Sequence, residues 1–96
     1  MSEKNYFTVI AYDVANDKRR RALVRVLESF GERAQESVFE AWLTDGERKK
    51  METKAYKCIE TSEDRLAIYV LPKIDREAII NLGTGGIAKD FTHLIL

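Results

Sequence analysis

Residues 33–43 read Arg-Ala-Gln-Glu-Ser-Val-Phe-Glu-Ala-Trp-Leu, with neither glycine nor proline to interrupt them. Period-two alternation predicts a strand with two distinct faces, one of Ser37, Phe39, Ala41 and Leu43 and the other of Glu36, Val38, Glu40 and Trp42. The two glutamates predict that the second face is partly exposed to water. The stretch supplies either one long strand or two strands joined by a turn near Glu40 and Ala41, and this choice decides the fold.

The segment before this stretch predicts a strand followed by a helix. Residues 6–13 are rich in β-branched and aromatic types and lack polar alternation, as in a strand that is covered on both faces. Asn16 or Asp17 can cap the helix that follows, and Gly31 suits a left-handed cap at its C-terminal end. The apolar stripe of this helix consists of Leu23, Val26, Leu27 and Phe30.

The segment after the stretch predicts a helix, a strand and an apolar tail. The sequence Thr-Asp-Gly-Glu at residues 44–47 matches a capping box, and the helix that it opens runs to about residue 58. Residues 65–71 predict a strand that ends at Pro72, followed by a helical turn over residues 76–82. Residues 91–96, Phe-Thr-His-Leu-Ile-Leu, predict a final strand, which must pair with a sheet because open apolar edges aggregate.

This order of elements indicates an α/β (α+β) domain of ferredoxin-like type, βαββαβ, provided that residues 33–43 supply two strands. We interpret residues 1–96 as a single domain, in which residues 84–96 form a linker and a C-terminal strand. The glycines at the start of that linker would let the strand reach a second copy of the chain. Pairing of the strand with its own sheet is the alternative.

The composition narrows the classes of function and location. Sixteen basic and sixteen acidic residues cancel, so total charge does not indicate a nucleic-acid-binding protein. Cys58 is the single cysteine, which excludes an intrachain disulfide and a multi-cysteine metal site, and its apolar register predicts a buried thiol. No stretch approaches the roughly 20 apolar residues that span a bilayer. Without an apolar signal segment, we expect a cytoplasmic protein with no membrane partner.

Several short motifs occur together in a specific order. They are Tyr12-Asp13-Val14, the basic run Asp17-Lys18-Arg19-Arg20-Arg21, the sequence Gln-Glu-Ser-Val-Phe-Glu at residues 35–40, and Ile-Tyr-Val-Leu at residues 68–71. In this combination the chain resembles the Cas2 family of CRISPR-associated proteins from about residue 6 to the C-terminus. The resemblance implies a ferredoxin-like homodimer whose C-terminal strand crosses to the partner. It also implies partners: the CRISPR integrase, whose dimers family members bridge, and the DNA or RNA that they hold or cleave.

Asp13 is the residue that we expect to bind a metal and to act in catalysis. A carboxylate at the end of a strand suits Mg²⁺ or Mn²⁺, and a two-fold axis would bring two copies of Asp13 to one ion. The metal would activate a water molecule for attack on a phosphodiester. The alternative is a turn aspartate that accepts backbone hydrogen bonds.

Three further residues complete the predicted catalytic set. Tyr12 either orients the substrate or belongs to the core. Ser37 either donates a hydrogen bond to phosphate or satisfies a strand edge. Phe39 either stacks on a base or belongs to the core. His93 is the only histidine, so one chain cannot build a histidine pair or a Ser-His-Asp triad.

The predicted nucleic-acid contacts are Lys18, Arg19, Arg20 and Arg33, because arginine's forked donors fit phosphate. Pairing with Asp17, Glu32 or Glu36 is the alternative for the arginines. The resemblance to the Cas2 family implies two functions: an architectural protein of spacer acquisition, which we favour, and a metal-dependent endonuclease that cleaves single-stranded RNA or duplex DNA.

Overall fold

The computed structural model describes residues 5–71, 76–80 and 82. Over these residues the chain forms β1 (Tyr6–Asp13), α1 (Asp17–Glu28), β2 (Glu32–Gln35), β3 (Val38–Leu43), α2 (Asp45–Tyr56), β4 (Arg65–Leu71) and a 3₁₀ turn (Arg76–Ala78). The 3₁₀ turn falls within the helical turn predicted over residues 76–82. The linker and strand predicted over residues 84–96 lie outside the described part of the chain.

The four strands form one sheet in the order β2-β3-β1-β4, and all neighbours are antiparallel. With the element order βαββαβ, this is the ferredoxin-like topology, and the predicted fold class is confirmed. No helix in the described ranges is long and apolar enough to cross a membrane.

Residues 33–43 supply two strands, but the predicted position of the turn is wrong. The chain turns at Glu36 and Ser37 instead of near Glu40 and Ala41. The carbonyl groups of this turn accept hydrogen bonds from residues outside the turn. The Arg33 guanidinium and the Tyr12 hydroxyl donate to the Glu36 carbonyl at 2.7 and 2.8 Å, and the Tyr12 N–H donates to the Ser37 carbonyl at 3.1 Å. The turn therefore forms without glycine or proline.

Gly31 is required for a reason other than the one predicted. Its backbone is not left-handed, so the predicted left-handed cap is absent. The C-cap of α1 is instead Ser29, whose N–H bonds back into the last turn. A Cβ atom at Gly31 would lie 2.3 Å from the Glu40 carbonyl oxygen and 2.6 Å from the Ala41 Cβ. Glycine is needed because the chain passes so close to β3.

The predicted helix starts are confirmed. The Asn16 side chain accepts a hydrogen bond from the Arg19 N–H at 2.9 Å and caps α1. Thr44 and Glu47 form the complete capping box of α2, with hydrogen bonds of 3.1 and 2.8 Å. The second helix ends at Tyr56, two residues before the predicted limit.

The core lies between the two helices and one face of the sheet. Its fully buried side chains include Ile10, Leu23, Leu27, Phe39 and Met51. Cys58 is only half-buried and its thiol lies 3.4 Å from the Lys54 carbonyl, so the prediction of a buried thiol is not met. The two helices thus pack on one face of the sheet and cover β1 and β3 there.

The other face of the sheet carries no helix within the described residues; we call it the open face. Residues that stand opposite each other on neighbouring strands share a face, so side chains of β3, β1 and β4 form rows across the open face. The rows are Phe7 with Trp42 and Leu71, Val9 with Glu40 and Tyr69, Ala11 with Val38 and Ala67, and Asp13 with Arg65. Glu40 was expected on a partly wet face, but only 9% of it is exposed, and its Oε1 atom has no hydrogen-bond partner in the described chain.

Candidate functional site

Asp13 is the last residue of β1 and lies on the open face, directly opposite Arg65 of β4. Its side chain is exposed and makes no hydrogen bond or ion pair with any described residue. A turn aspartate would accept backbone N–H groups, and the described residues direct none at Asp13. Its carboxylate is therefore not used by any residue that the structure describes.

Two surface depressions meet at Asp13. One, of about 310 Å³, extends along the open face to Arg65, Ala67 and Tyr69. The other, of about 450 Å³, extends towards Arg20, Glu36 and Ser37. Tyr12 and Asp13 line both depressions.

The structure brings three of the four predicted catalytic residues together. Tyr12, Asp13 and Ser37 line the larger depression, and Ser37 is exposed. Tyr12 is only 5% exposed, and its hydroxyl is used in the hydrogen bond to the Glu36 carbonyl. Tyr12 thereby joins the end of β1 to the turn that carries Ser37.

Phe39 lies apart from the depressions in the core. Its side chain is completely buried, and its ring centroid lies 6.2 Å from that of Tyr12. A base cannot stack on a ring that has no exposed surface. Phe39 supports Tyr12 from below, which is the core role named above as its alternative.

The arginines predicted to bind phosphate are engaged within the chain. Arg33 donates to the Glu36 carbonyl and, at 3.5 Å, to the Tyr12 hydroxyl. Arg20 donates to the Val14 carbonyl at 2.7 Å and pairs with Asp17, the partner named as its alternative. Lys18, in contrast, is exposed and has no ion pair with a described residue.

Arg19 has a set of partners that the sequence did not predict. Its guanidinium binds the Asp64 carboxylate through two nitrogens, at 2.8 and 3.2 Å, and Glu63 at 2.9 Å. Asp64 also accepts the backbone N–H groups of Ala15 and Glu60, at 2.9 and 2.8 Å. This network ties the loop after Asp13 to the loop before β4.

The contacts of the Arg19–Asp64 pair shift the pKa values of both groups. The hydrogen bonds from Arg19 hold the pKa of the Asp64 carboxyl well below its usual range; burial opposes this shift, and the N–H groups of Glu60 and Ala15 reinforce it. The same contacts raise the pKa of Arg19. The acidic pair Glu63 and Asp64 was the available signal, but it lies more than forty positions from the basic run, and only the fold brings the two together.

Comparison with known proteins identifies the family to which this chain belongs. The model of "CRISPR associated protein Cas2" matches residues 6–79. The chain belongs to the Cas2 family. This match includes β1 with Asp13, the basic run of α1 and the turn that carries Ser37, so the site described above lies within the Cas2 domain.

Individual Cas2 proteins are similar over most of the chain. A CRISPR-associated endoribonuclease Cas2 from Chloroflexus aurantiacus is 34% identical over 90 residues, which cover 94% of this chain and 97% of that protein. The structure of Cas2 from Streptococcus pyogenes superimposes with a TM-score of 0.67 and 27% identity, covering 80% of this chain and 99% of that one. A chain of a partial Cas6-RT-Cas1–Cas2 complex superimposes with a TM-score of 0.60 and 35% identity, covering 77% and 83%.

The described residues of one copy do not form a complete metal site. Among the residues that the structure describes, no three His, Cys, Asp or Glu side chains group so that they could hold a metal ion. Asp13 offers a single exposed carboxylate. Mg²⁺ is often held by one or two carboxylates together with waters and phosphate oxygens, so Asp13 fits such an ion as one ligand and not as a complete site.

Proposed function

We propose that this chain acts in CRISPR spacer acquisition as a homodimer that binds nucleic acid and bridges subunits of the CRISPR integrase. The observation that carries this proposal is the 35% identity to a chain solved within a complex that contains Cas1 and Cas2.

The open face supports the homodimer. Its outer row carries Phe7 and Trp42, whose ring centroids lie 5.1 Å apart, and Leu71. Tyr69, in the next row, is 53% exposed. A domain of this size buries only a modest part of its surface, and a second copy of the same apolar face would cover these side chains. A two-fold axis near the end of β1 would also bring two Asp13 carboxylates together.

Metal-dependent hydrolysis of phosphodiester bonds is the second candidate function. The free carboxylate of Asp13 favours it, and relatives bear the names endoribonuclease and endonuclease. We propose Mg²⁺ or Mn²⁺ as the cofactor, held between the two Asp13 side chains. When bound, the ion would supply an activated water and stabilise charge on the phosphate. The Ser37 hydroxyl would donate to a phosphate oxygen, and Tyr12 and Phe39 would hold the turn and strand in place.

The substitution Asp13→Asn separates the two functions, because it removes the charge but keeps the shape. Cleavage of single-stranded RNA and duplex DNA is measured with Mg²⁺, with Mn²⁺ and with EDTA, beside spacer acquisition in cells. If the chain cleaves, we expect the variant to lose at least about 10²-fold in rate, while acquisition persists. Loss of acquisition in a folded, dimeric variant would make the nuclease the function and contradict the architectural proposal.

Deletion of residues 88–96 tests the proposed dimer. If the C-terminal strand pairs with a second copy, light scattering will show monomer or aggregate in place of dimer. An unchanged dimer would contradict the proposed role of this strand.

A further inference from the structure

Arg65 is the first residue of β4 and lies on the open face, directly opposite Asp13 of β1. Its side chain is exposed and makes no hydrogen bond or ion pair with a described residue. Opposite charges at facing positions of neighbouring strands attract each other. Arg65 and Asp13 nevertheless form no ion pair in the described chain, so both charges are exposed at the same end of the sheet.

The carboxylates on the other side of Arg65 are bound to other arginines. Arg65 borders the groove beside α2 together with Asp64 and Glu52. Asp64 is held by Arg19 at 2.8 Å, and Glu52 is held by Arg48 at 2.9 Å. Neither carboxylate therefore neutralises the positive charge of Arg65.

Arg65 and Asp13 form one end of the depression of about 310 Å³ on the open face. Ala11 and Ala67, which face each other across β1 and β4, lie in its middle, and Tyr69 lines its other end. Because both middle residues have small side chains, the depression is open between its charged end and Tyr69, which lies about 13 Å further along β4.

The arginines near Asp13 that were predicted to bind phosphate are engaged within the chain. Arg20 lines the second depression at Asp13 but is paired with Asp17. Arg33 is used to hold the carbonyl group of a turn. The Asp13 carboxylate repels an anion that approaches it, and among the described residues of the two depressions Arg65 can offset this repulsion without losing an ion pair of its own.

We propose that Arg65 binds a phosphate of a single-stranded nucleic acid that enters the depression beside Asp13. This inference rests on the proposed function as a metal-dependent nuclease, and it names a substrate-binding residue and the form of the strand. A guanidinium donates two parallel hydrogen bonds to a phosphate group. A volume of about 310 Å³ is near the lower limit of small-molecule sites, so the depression admits one or two nucleotides and excludes a duplex.

The proposed homodimer would double this site. The two-fold axis that would bring two Asp13 carboxylates together would also bring two copies of Arg65 beside them, because Arg65 faces Asp13 across the sheet. A strand at the axis would then meet one guanidinium from each copy. The competing partner of Arg65 is Asp13 of the second copy, and the experiments below separate the two.

NMR of the arginine side chains tests the contact directly. The Nε–H signal of Arg65 is assigned by its loss in Arg65→Gln. The full chain is then titrated, in EDTA, with the dinucleotide UpU and with uridine, which lacks a phosphate. We expect UpU to shift the Arg65 signal and uridine to leave it unchanged. The signal of Arg25, an exposed arginine of α1 without an ion pair in the described chain, should not move.

Fluorescence anisotropy of a short labelled single-stranded RNA, again in EDTA, measures the effect on affinity. Arg65→Gln should lower the affinity at least about tenfold, the scale of a lost hydrogen bond between charged groups. Arg65→Lys keeps the charge but not the paired donors, so its affinity should lie between those of the wild type and Arg65→Gln. Arg25→Gln is the matched control, because it removes the same charge from α1, and it should lower the affinity much less.

Equal losses of affinity in Arg65→Gln and Arg25→Gln would overturn the inference, because they would show a general effect of charge. An Arg65 signal that UpU does not move would overturn it too. Loss of the dimer in Arg65→Gln, with RNA affinity unchanged, would assign the guanidinium to the second copy instead. Each of these results leaves the nuclease proposal standing if the wild type cleaves RNA with Mg²⁺ or Mn²⁺. A wild type that binds RNA through Arg65 but cleaves nothing would overturn the nuclease proposal and leave this inference standing.

Discussion

Glu40 on β3 is expected to destabilise the fold at neutral pH, and Glu40→Gln should relieve this effect. Glu40 is only 9% exposed in the open face, and its Oε1 atom has no hydrogen-bond partner among the described residues. Across the sheet it faces Glu32 of β2 on one side and Val9 of β1 on the other. Burial raises the pKa of the Glu40 carboxyl, and the charge of Glu32 raises it further.

The size of the effect follows from this environment. A buried polar atom without a partner costs about 1–3 kcal/mol, and more when it is charged. Glutamine keeps the shape of the side chain and one oxygen, so it recovers only the part of this cost that depends on charge. We expect Glu40→Gln to raise the free energy of unfolding by about 1–2 kcal/mol at pH 8, which corresponds to a rise of about 0.5–1 M in the urea midpoint.

The pH dependence of this gain has a definite sign. The folded state binds the Glu40 proton more tightly than the unfolded state does, whose pKa is about 4.3. The wild type therefore loses stability as the pH rises from that value through the raised pKa of the folded state. Below about pH 4 the carboxyl is protonated in both states, and the wild type and Glu40→Gln should have nearly equal stability.

Urea unfolding followed by circular dichroism at pH 4, 6 and 8 measures both quantities. All proteins are compared at one concentration, because dimerisation makes stability depend on it. Glu28→Gln, at an exposed position of α1, is the control and should change stability by less than about 0.5 kcal/mol. A gain that is absent at pH 8, or equally large at pH 4, would refute the reasoning.

Three further predictions concern the supports of the site. Gly31→Ala should lower the free energy of unfolding by about 1–3 kcal/mol, because the new Cβ atom would meet the backbone of β3. Gly46→Ala, in the exposed first turn of α2, is the control and should not lower it; thermal unfolding of both variants measures the difference. Asp64→Asn should lower the melting temperature more than Glu63→Gln does. The difference in melting temperature between the wild type and Asp64→Asn should shrink as the pH falls below about 4, because a carboxylate with a lowered pKa stabilises the fold only while it is ionised. Tyr12→Phe should cost about 1 kcal/mol in urea unfolding for the lost hydrogen bond to the turn, and no loss would mean that Arg33 alone holds it.

The parts of the fold that depend on residues close together along the chain were predictable from the sequence. The helix starts at Asn16 and Thr44 are local hydrogen-bond patterns, and residues 6–13 and 65–71 have the composition of strands. The turn at Glu36 and Ser37 was misplaced because its donors come from Tyr12 and Arg33 instead of from the turn itself. Gly31 was misinterpreted for the same reason, since the close approach to β3 exists only in the folded chain.

The candidate site also has a part that was predictable from the sequence and a part that was not. Sequence reasoning found Asp13, Tyr12 and Ser37, which share one depression. It grouped Arg19 with the phosphate contacts, because the carboxylate that engages Arg19 lies far away along the chain. A run of like charges shows where cations are, but their freedom to bind a ligand depends on which acidic side chains the fold brings near.

The contacts around Asp13 also bear on its role. The backbone on either side of it is held in place: the Ala15 N–H by Asp64, the Val14 carbonyl by Arg20, and Tyr12 by its hydrogen bond to the turn. The Asp13 carboxylate itself makes no hydrogen bond or ion pair with a described residue. A structural aspartate contributes through its hydrogen bonds, and this one makes none to residues that the structure describes. The fold therefore fixes the position of a carboxylate that the described residues leave unpaired, which supports the proposed role of Asp13 in binding a metal ion.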